Sequence, residues 1–337
     1  MNTFDIIWRK FKNNRRSIYS LYLFIILFSL SLLAEIISND KPILMKIDDT
    51  LYSPYLHTYT EKDFGGDLDT SPDYKGYFMN ELYDRNNNWV IFPINPHSYN
   101  SINLNTVNPN PSPPSNQNFL GTDDRGRDVL ARLIYGFRIS VIFALILTAI
   151  GILIGIFLGA LQGYFAGKTD LFLQRFIEIW GSMPELYILI IFASIFEPSI
   201  LLLILLLSLF GWISLSDYVR AEFLKGRNME YVLAAKTLGL TDWQIIKRHI
   251  LPNSLISVVT FLPFRISGAI LILTSLDFLG LGVPPSTPSL GELLSQGKDN
   301  ISAWWLSLTT FIVLVSTLLL LIFIGEGIRE SISSKSK

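Results

Sequence analysis

Apolar residues gather into six runs separated by polar stretches of very unequal length. The runs lie at about Ile18–Ile37, Ile139–Phe165, Leu171–Phe196, Ser199–Tyr218, Ser254–Phe278 and Trp304–Gly325. A helix needs about 20 apolar residues to cross a bilayer, so each run predicts one transmembrane helix. Only Glu197-Pro198 separates the third run from the fourth, which predicts a tight turn. Pro184, after Gly181-Ser182-Met183, predicts a kink in the third span. The first run is too long for a signal-peptide core and ends in Ala34-Glu35-Ile36-Ile37-Ser38, a poor cleavage site. It reads as a retained helix.

Six spans put both termini on one side, and basic residues decide which. Arg9–Arg16, Lys168, the Arg220–Arg248 stretch and the Arg329–Lys337 tail fall on the N-terminal side. That side is expected to be cytoplasmic. The segment from Asn39 to about Arg132 is then external. It is rich in Asn, Asp, Tyr and Pro, and Pro109, Pro111, Pro113 and Pro114 stiffen its end. Trp304 and Trp305 stand where an interfacial belt belongs, or they simply pack against lipid. The expected divisions are 1–38, an N-terminus and first span; 39–135, an external loop; 136–327, a five-span core with an inside loop at 218–253; and a tail at 328–337.

Half the residues are hydrophobic, and 27 basic against 28 acidic residues leave no nucleic-acid footprint. There is no cysteine, which excludes disulfides and thiol catalysis. His57, His97 and His249 lack zinc spacing. Gly163-Tyr-Phe-Ala-Gly-Lys-Thr169 is one residue short of a phosphate loop and follows a membrane helix, so Lys168 reads as a positive-inside anchor. No nucleophile–base pair supports an enzyme. No repeated half-sequence supports a secondary transporter using Glu178 and Arg265 as an ion relay.

Gly151, Gly155, Gly159 and Gly163 recur every four residues on the second span. Such a ridge lets another helix approach closely; the alternative is a solute-lining role. Glu178 and Arg265 lie deep in their runs, where a bare charge costs about 2.5–3.5 kcal/mol. They belong to a translocation path, to a structural ion pair or to a subunit contact. Asp217 and Asp277 lie near span ends, where the interface solvates them.

The most informative segment is Tyr231 to Asn253. A short helix is expected to end at Gly239, a left-handed C-terminal position. Thr241 and Gln244 form a T-x-x-Q capping box that restarts a helix, which Pro252 then closes. Ala234 and Ala235 give the first helix a smooth face for docking.

This helix–turn–helix resembles the coupling loop, or EAA motif, of binding-protein-dependent ABC importers. It departs in having Leu233 where the pattern often has Glu. Phe119-Leu-Gly-Thr-Asp-Asp-Arg-Gly-Arg-Asp128 through Gly136, Asp277-Phe-Leu-Gly-Leu-Gly-Val-Pro-Pro285 and Pro288-Ser-Leu-Gly291 resemble the C-type permeases of dipeptide, oligopeptide and nickel systems. Phe64-Gly-Gly-Asp-Leu-Asp, Trp89-Val-Ile-Phe-Pro93 and Ser98–Asn103 resemble the extended first loop of Yej-type permeases (the E-type subunit), linked to oligopeptide and microcin C uptake.

The resemblance implies an all-α polytopic protein of the type I ABC importer permease fold in a bacterial inner membrane. It implies a coupling role for Tyr231, Ala234, Ala235, Gly239, Thr241, Gln244, His249, Pro252 and Asn253. No cofactor is expected on this chain, since ATP and Mg belong to the partner ATPases. The implied partners are a homologous second permease, ABC ATPase subunits, a periplasmic peptide-binding protein and the lipid bilayer. A nickel solute is an alternative, although no histidine lies within a span.

Overall fold

The computed structural model describes residues 3–85, 88–103 and 108–333. The last four residues of the expected tail, and six residues of the expected external loop, lie outside them. Helices come first: α1 (Thr3–Asn13), α2 (Arg15–Leu32) and α3 (Ala34–Ile37). α4 (Tyr77–Tyr83) follows in the polar segment. Then come α5 (Val129–Phe165), α6 (Gly167–Gly181), α7 (Glu185–Ile195), α8 (Ile200–Ser208) and α9 (Ile213–Gly226). The rest are α10 (Glu230–Thr237), α11 (Asp242–Ile245), α12 (Leu251–Phe278), α13 (Leu290–Asp299) and α14 (Trp304–Ser333).

Among the described residues, five helical stretches are long and apolar enough to cross a membrane: Arg15–Leu32, Val129–Phe165, Ile200–Gly226, Asp242–Phe278 and Trp304–Ile332. The bent pair α6–α7 makes a sixth when counted as one span. The kink expected at Pro184 is a full break, with the two helices bent by 62°. Proline has no N–H to donate and crowds the preceding turn, so α6 ends at Gly181 and Pro184 caps α7.

The chain divides into two compact units. One comprises Met1–Ile25, Ser140–Pro284 and Val315–Lys337. Its principal core joins Tyr164, Leu215, Val219 and Phe223 to Val232, Ala235, Ile245 and Ile250. A smaller cluster packs Phe11 of α1 against Ile18 and Ile324.

The other unit comprises Ile26–Ile139 and Pro285–Leu314. Here a small sheet is added to the mostly helical fold. A three-stranded antiparallel sheet, in the order β2-β1-β3, is built from β1 (Leu44–Ile47), β2 (Thr50–Tyr52) and β3 (Trp89–Ile91). β1 and β2 join through Asp48-Asp49, both at positive φ (47° and 65°). That is the two-residue loop whose twist suits a hairpin, and aspartate tolerates the left-handed region. Met45 and Ile47 point inward onto Phe64, Tyr74, Met79 and Leu82.

Two sequence motifs meet in this unit through buried charges. Asp123 and Arg127 form an ion pair at 2.6 Å, and Arg127 Nη2 lies 3.2 Å from Glu292 Oε1. Arg132, with 0% exposure, bonds the other Glu292 oxygen. Arg127 also donates to the Pro285 carbonyl at 2.7 Å. The expected tryptophan belt divides. Trp304 is exposed, but Trp305 is buried and its indole N–H donates to the Thr122 carbonyl at 3.1 Å.

Candidate functional site

Each residue of the 230–253 segment has a local reason for its position. α10 ends in a Schellman motif: Leu240 N–H donates to Ala235 O at 3.2 Å, and Gly239 N–H to Lys236 O at 3.0 Å. Gly239 takes φ +81°, a conformation that costs other residues about 1–2 kcal/mol. Thr241 N–H then donates to Gln244 Oε1 at 2.9 Å, and Gln244 N–H to Thr241 Oγ1 at 3.4 Å. This reciprocal box starts α11. Tyr164 at the end of α5 donates to Asp242 at 2.5 Å, holding the restart against the membrane helices.

Pro252 does not close the second helix. Residues 246–250 form a π turn, with Leu251 N–H bonded to Ile246 O, and the chain runs on into α12. The wider turn shifts the bonding register by one residue just where proline cannot donate and would crowd an α-helical turn. Loop and span are therefore one continuous helix. His249, Tyr231 and Asn253 gather at its base. The Asn253 amide donates to the His249 carbonyl at 3.0 Å and the Tyr231 hydroxyl at 3.3 Å.

The two alanines do not share a face. Ala234 is exposed, whereas Ala235 is 5% exposed and packs in the principal core with Val232 and Ile245. The outward surface instead carries Leu233, Leu238 (79% exposed) and Trp243 (68% exposed). Leu238 and Trp243 went unremarked in the sequence because an apolar residue in an amphipathic segment is normally read as inward-facing. Bare apolar side chains beside a rigid turn are what a partner groove accepts.

The glycine ridge of α5 faces α9 and the turn before it. A β-carbon on Gly155 would stand 3.0 Å from Leu215, one on Gly159 2.5 Å from the Ser216 carbonyl, and one on Gly163 2.5 Å from the Arg220 carbonyl. On Gly151 it would meet the Arg265 guanidinium at 3.0 Å. Arg220 in turn grips Asp170 through two bonds, 2.5 and 2.7 Å long, which ties the α5–α6 turn to α9.

Glu178 and Arg265 are not brought together. Glu178 is exposed on α6 and pairs with Arg175 at 2.6 Å, one turn away on its own helix. Arg265 lines a cavity of about 260 Å³ with Glu185, a residue passed over in the sequence. Its signal was a carboxylate inside an apolar run immediately after a helix-breaking proline.

Residues 151–336 match the family of binding-protein-dependent transport system inner membrane components. The chain is 50% identical to the inner membrane ABC transporter permease protein YejE of Escherichia coli over 96% of this chain and 95% of that protein. It is 48% identical to the peptidoglycan transport system permease protein YejE of Agrobacterium fabrum, over 96% and 91%. The oligopeptide transport system permease protein OppC of Haemophilus influenzae is 35% identical over 72% of this chain and 78% of its own length. Among solved structures, a chain of the inward-facing MetNI methionine ABC transporter shares the fold. It has a TM-score of 0.51 and 17% identity, covering 59% of this chain and 96% of that one.

Membership implies ATPase and binding-protein partners, and a transport role without catalysis on this chain. With the family model spanning more than half of its length, this chain belongs to the binding-protein-dependent inner membrane components, the multi-pass permeases of ABC importers.

Proposed function

We propose that this chain is one of two homologous permeases that together carry short peptides or peptide-like solutes, microcin C among them, across the inner membrane. The relatives' names point to such solutes: oligopeptide, dipeptide, glutathione and peptidoglycan transport. ATP and Mg act on partner ATPases. Both termini and the 218–253 loop face the cytoplasm, and residues 39–135 face the periplasm, where a peptide-binding protein delivers the solute. Glycines 151, 155, 159 and 163 pack helices. The segment from Tyr231 to Asn253 receives the ATPases and passes their closure to the membrane helices.

The observation that carries the coupling role is the exposed pair Leu238 and Trp243, held on either side of the Gly239 turn and the Thr241–Gln244 cap. The test is capture of the ATPase chains by the permease, alongside uptake of a labelled peptide. Leu238→Asp combined with Trp243→Ala is expected to lower both while the protein still inserts. Ala235→Asp is expected to fail differently. It places a carboxylate in the subunit's own core at a cost of several kcal/mol, and so disorders the loop itself. Full ATPase capture and full uptake by the double variant would refute the docking assignment.

A further inference from the structure

We propose that the cavity beside Arg265 is a site for the charged ends of a peptide in transit, with Arg265 receiving the carboxylate and Glu185 the ammonium group. The proposal rests on the peptide-permease reading above and adds the residues that recognise the solute.

Arg265 sits near the middle of α12, 14 residues after Leu251 and 13 before Phe278. A guanidinium at that depth normally has a carboxylate beside it or faces a polar path. Among the described residues, none of the ion pairs involves Arg265. Its terminal nitrogens donate to the Gly211 carbonyl and, at 3.2 Å, to Ser214 Oγ. Those two bonds fix the side chain across the turn between α8 and α9. They leave most of its five N–H donors free, and Nε is buried without a hydrogen-bond partner.

The cavity of about 260 Å³ is otherwise lined by Leu147, Thr148, Phe210, Gly268 and other small or apolar groups. Glu185 is the only carboxylate in that lining. It is half-buried at the first turn of α7 and makes no ion pair or hydrogen bond with another described side chain. Two opposite charges thus line one membrane cavity without neutralising each other.

A simple structural pair would have closed to contact distance. A carboxyl and a guanidinium that share a cavity without pairing instead suit a ligand that is itself dipolar and supplies both counter-charges at once. A short peptide with free termini has that chemistry. Arginine suits its carboxylate because the planar guanidinium offers two parallel donors. The break at Ser182-Met183-Pro184, which starts α7 next to the cavity, is what aims Glu185 into it.

The experiment uses the complete transporter in proteoliposomes with its binding protein and ATP. Uptake of trialanine is compared with uptake of its C-terminal amide and of its N-acetyl form, for wild type, Arg265→Gln and Glu185→Gln. Any preference of the binding protein cancels when each variant is divided by wild type for the same solute. Losing a charge-assisted bond is expected to lower uptake of free trialanine by about tenfold more than uptake of the amide in Arg265→Gln. Glu185→Gln is expected to show the matching selective loss against the N-acetyl form. Arg265→Lys should keep the preference for the free acid.

Equal loss for free and blocked peptides in both variants would overturn the proposal and leave Arg265 as a tie between helices. If Arg265→Gln does not assemble, the comparison is read from Glu185→Gln alone, and a proportional loss there has the same meaning. Absence of ATP-driven uptake of any peptide by the wild-type complex would overturn the peptide reading itself, and this site with it.

Discussion

Gly159→Ala adds one methyl group to the face of α5 that meets α9. The new carbon would stand 2.5 Å from the Ser216 carbonyl oxygen, 2.8 Å from Val219 Cβ and 3.0 Å from the Arg220 backbone nitrogen. Two of these neighbours are backbone, so no side-chain rotation relieves the contact. The helices must part by several tenths of an ångström, and forcing an extra methyl into a packed interface costs about 1–3 kcal/mol. At 1.4 kcal/mol per tenfold, that lowers the ratio of folded to unfolded protein by roughly 5- to 150-fold. Gly163→Ala is expected to match it, since Arg220 O and Phe223 Cβ are both at 2.5 Å. Gly151→Ala should be milder, because the nearest atom, at 3.0 Å, ends the long Arg265 side chain and the nearest backbone atom, Gly211 O, lies farther off at 3.2 Å. The assay is the apparent melting temperature of the detergent-solubilised complex, followed by its elution as an intact species. Gly159→Ala and Gly163→Ala should melt below Gly151→Ala. If Gly151→Ala proves as damaging as the other two, backbone proximity is not what selects glycine on this ridge.

Glu292→Gln removes the carboxylate that bridges Arg127 and Arg132, leaving Asp123 as their remaining ion-pair partner. Breaking a buried pair costs about 3–5 kcal/mol, so limited proteolysis should cut the 119–136 and 285–299 segments much faster in the variant. His97 is expected to make the segment around the three-stranded sheet acid-sensitive. Burial, then the Lys75 ammonium 3.5 Å from Nδ1, hold its pKa below the usual 6.5, against weaker opposing pulls from Asp128 and Asp40. A depressed histidine pKa means the unfolded chain binds the proton first. The contribution to stability is full above pH 6.5 and is lost as pH falls towards the folded-state value. Protease resistance of residues 39–128 should fall over that window, and His97→Gln should flatten the dependence.

Local chemistry made parts of this architecture readable. Gly239 and the Thr241–Gln244 box act over six residues, so the helix–turn–helix was visible in the sequence. The spans were visible because lipid imposes length and apolarity together. What escaped was set by distant contacts or by helical phase. β1 pairs with β3 across more than forty residues, and strands of three or four residues carry little alternation. In α10 and at its C-cap, apolar residues at 232, 233, 235 and 238 allow two inward faces. Only packing against Val219 and Phe223 decides that Val232 and Ala235 turn in, leaving Ala234 outside. Pro252 read as a stop because a π turn leaves no mark in composition. Glu178 looked like the buried carboxylate by depth alone, whereas the break at Pro184 hands that role to Glu185.

The unbroken passage from α11 through the π turn into α12 makes the loop and its span a single lever. Trp243 and Arg265 stand 22 residues apart on it, about 33 Å at 1.5 Å per residue. A hinge at Pro252 would have absorbed a push on α10 and α11 within one turn. A continuous helix delivers the same push as tilt, at least as far as Pro263, the proline inside α12 two residues before Arg265. A tilt of about 5° about its lower end displaces the far end by about 3 Å, a hydrogen bond's length. If α10 and α11 receive the ATPases as proposed, force applied there would be geared to the spacing of the proposed charged site around Arg265.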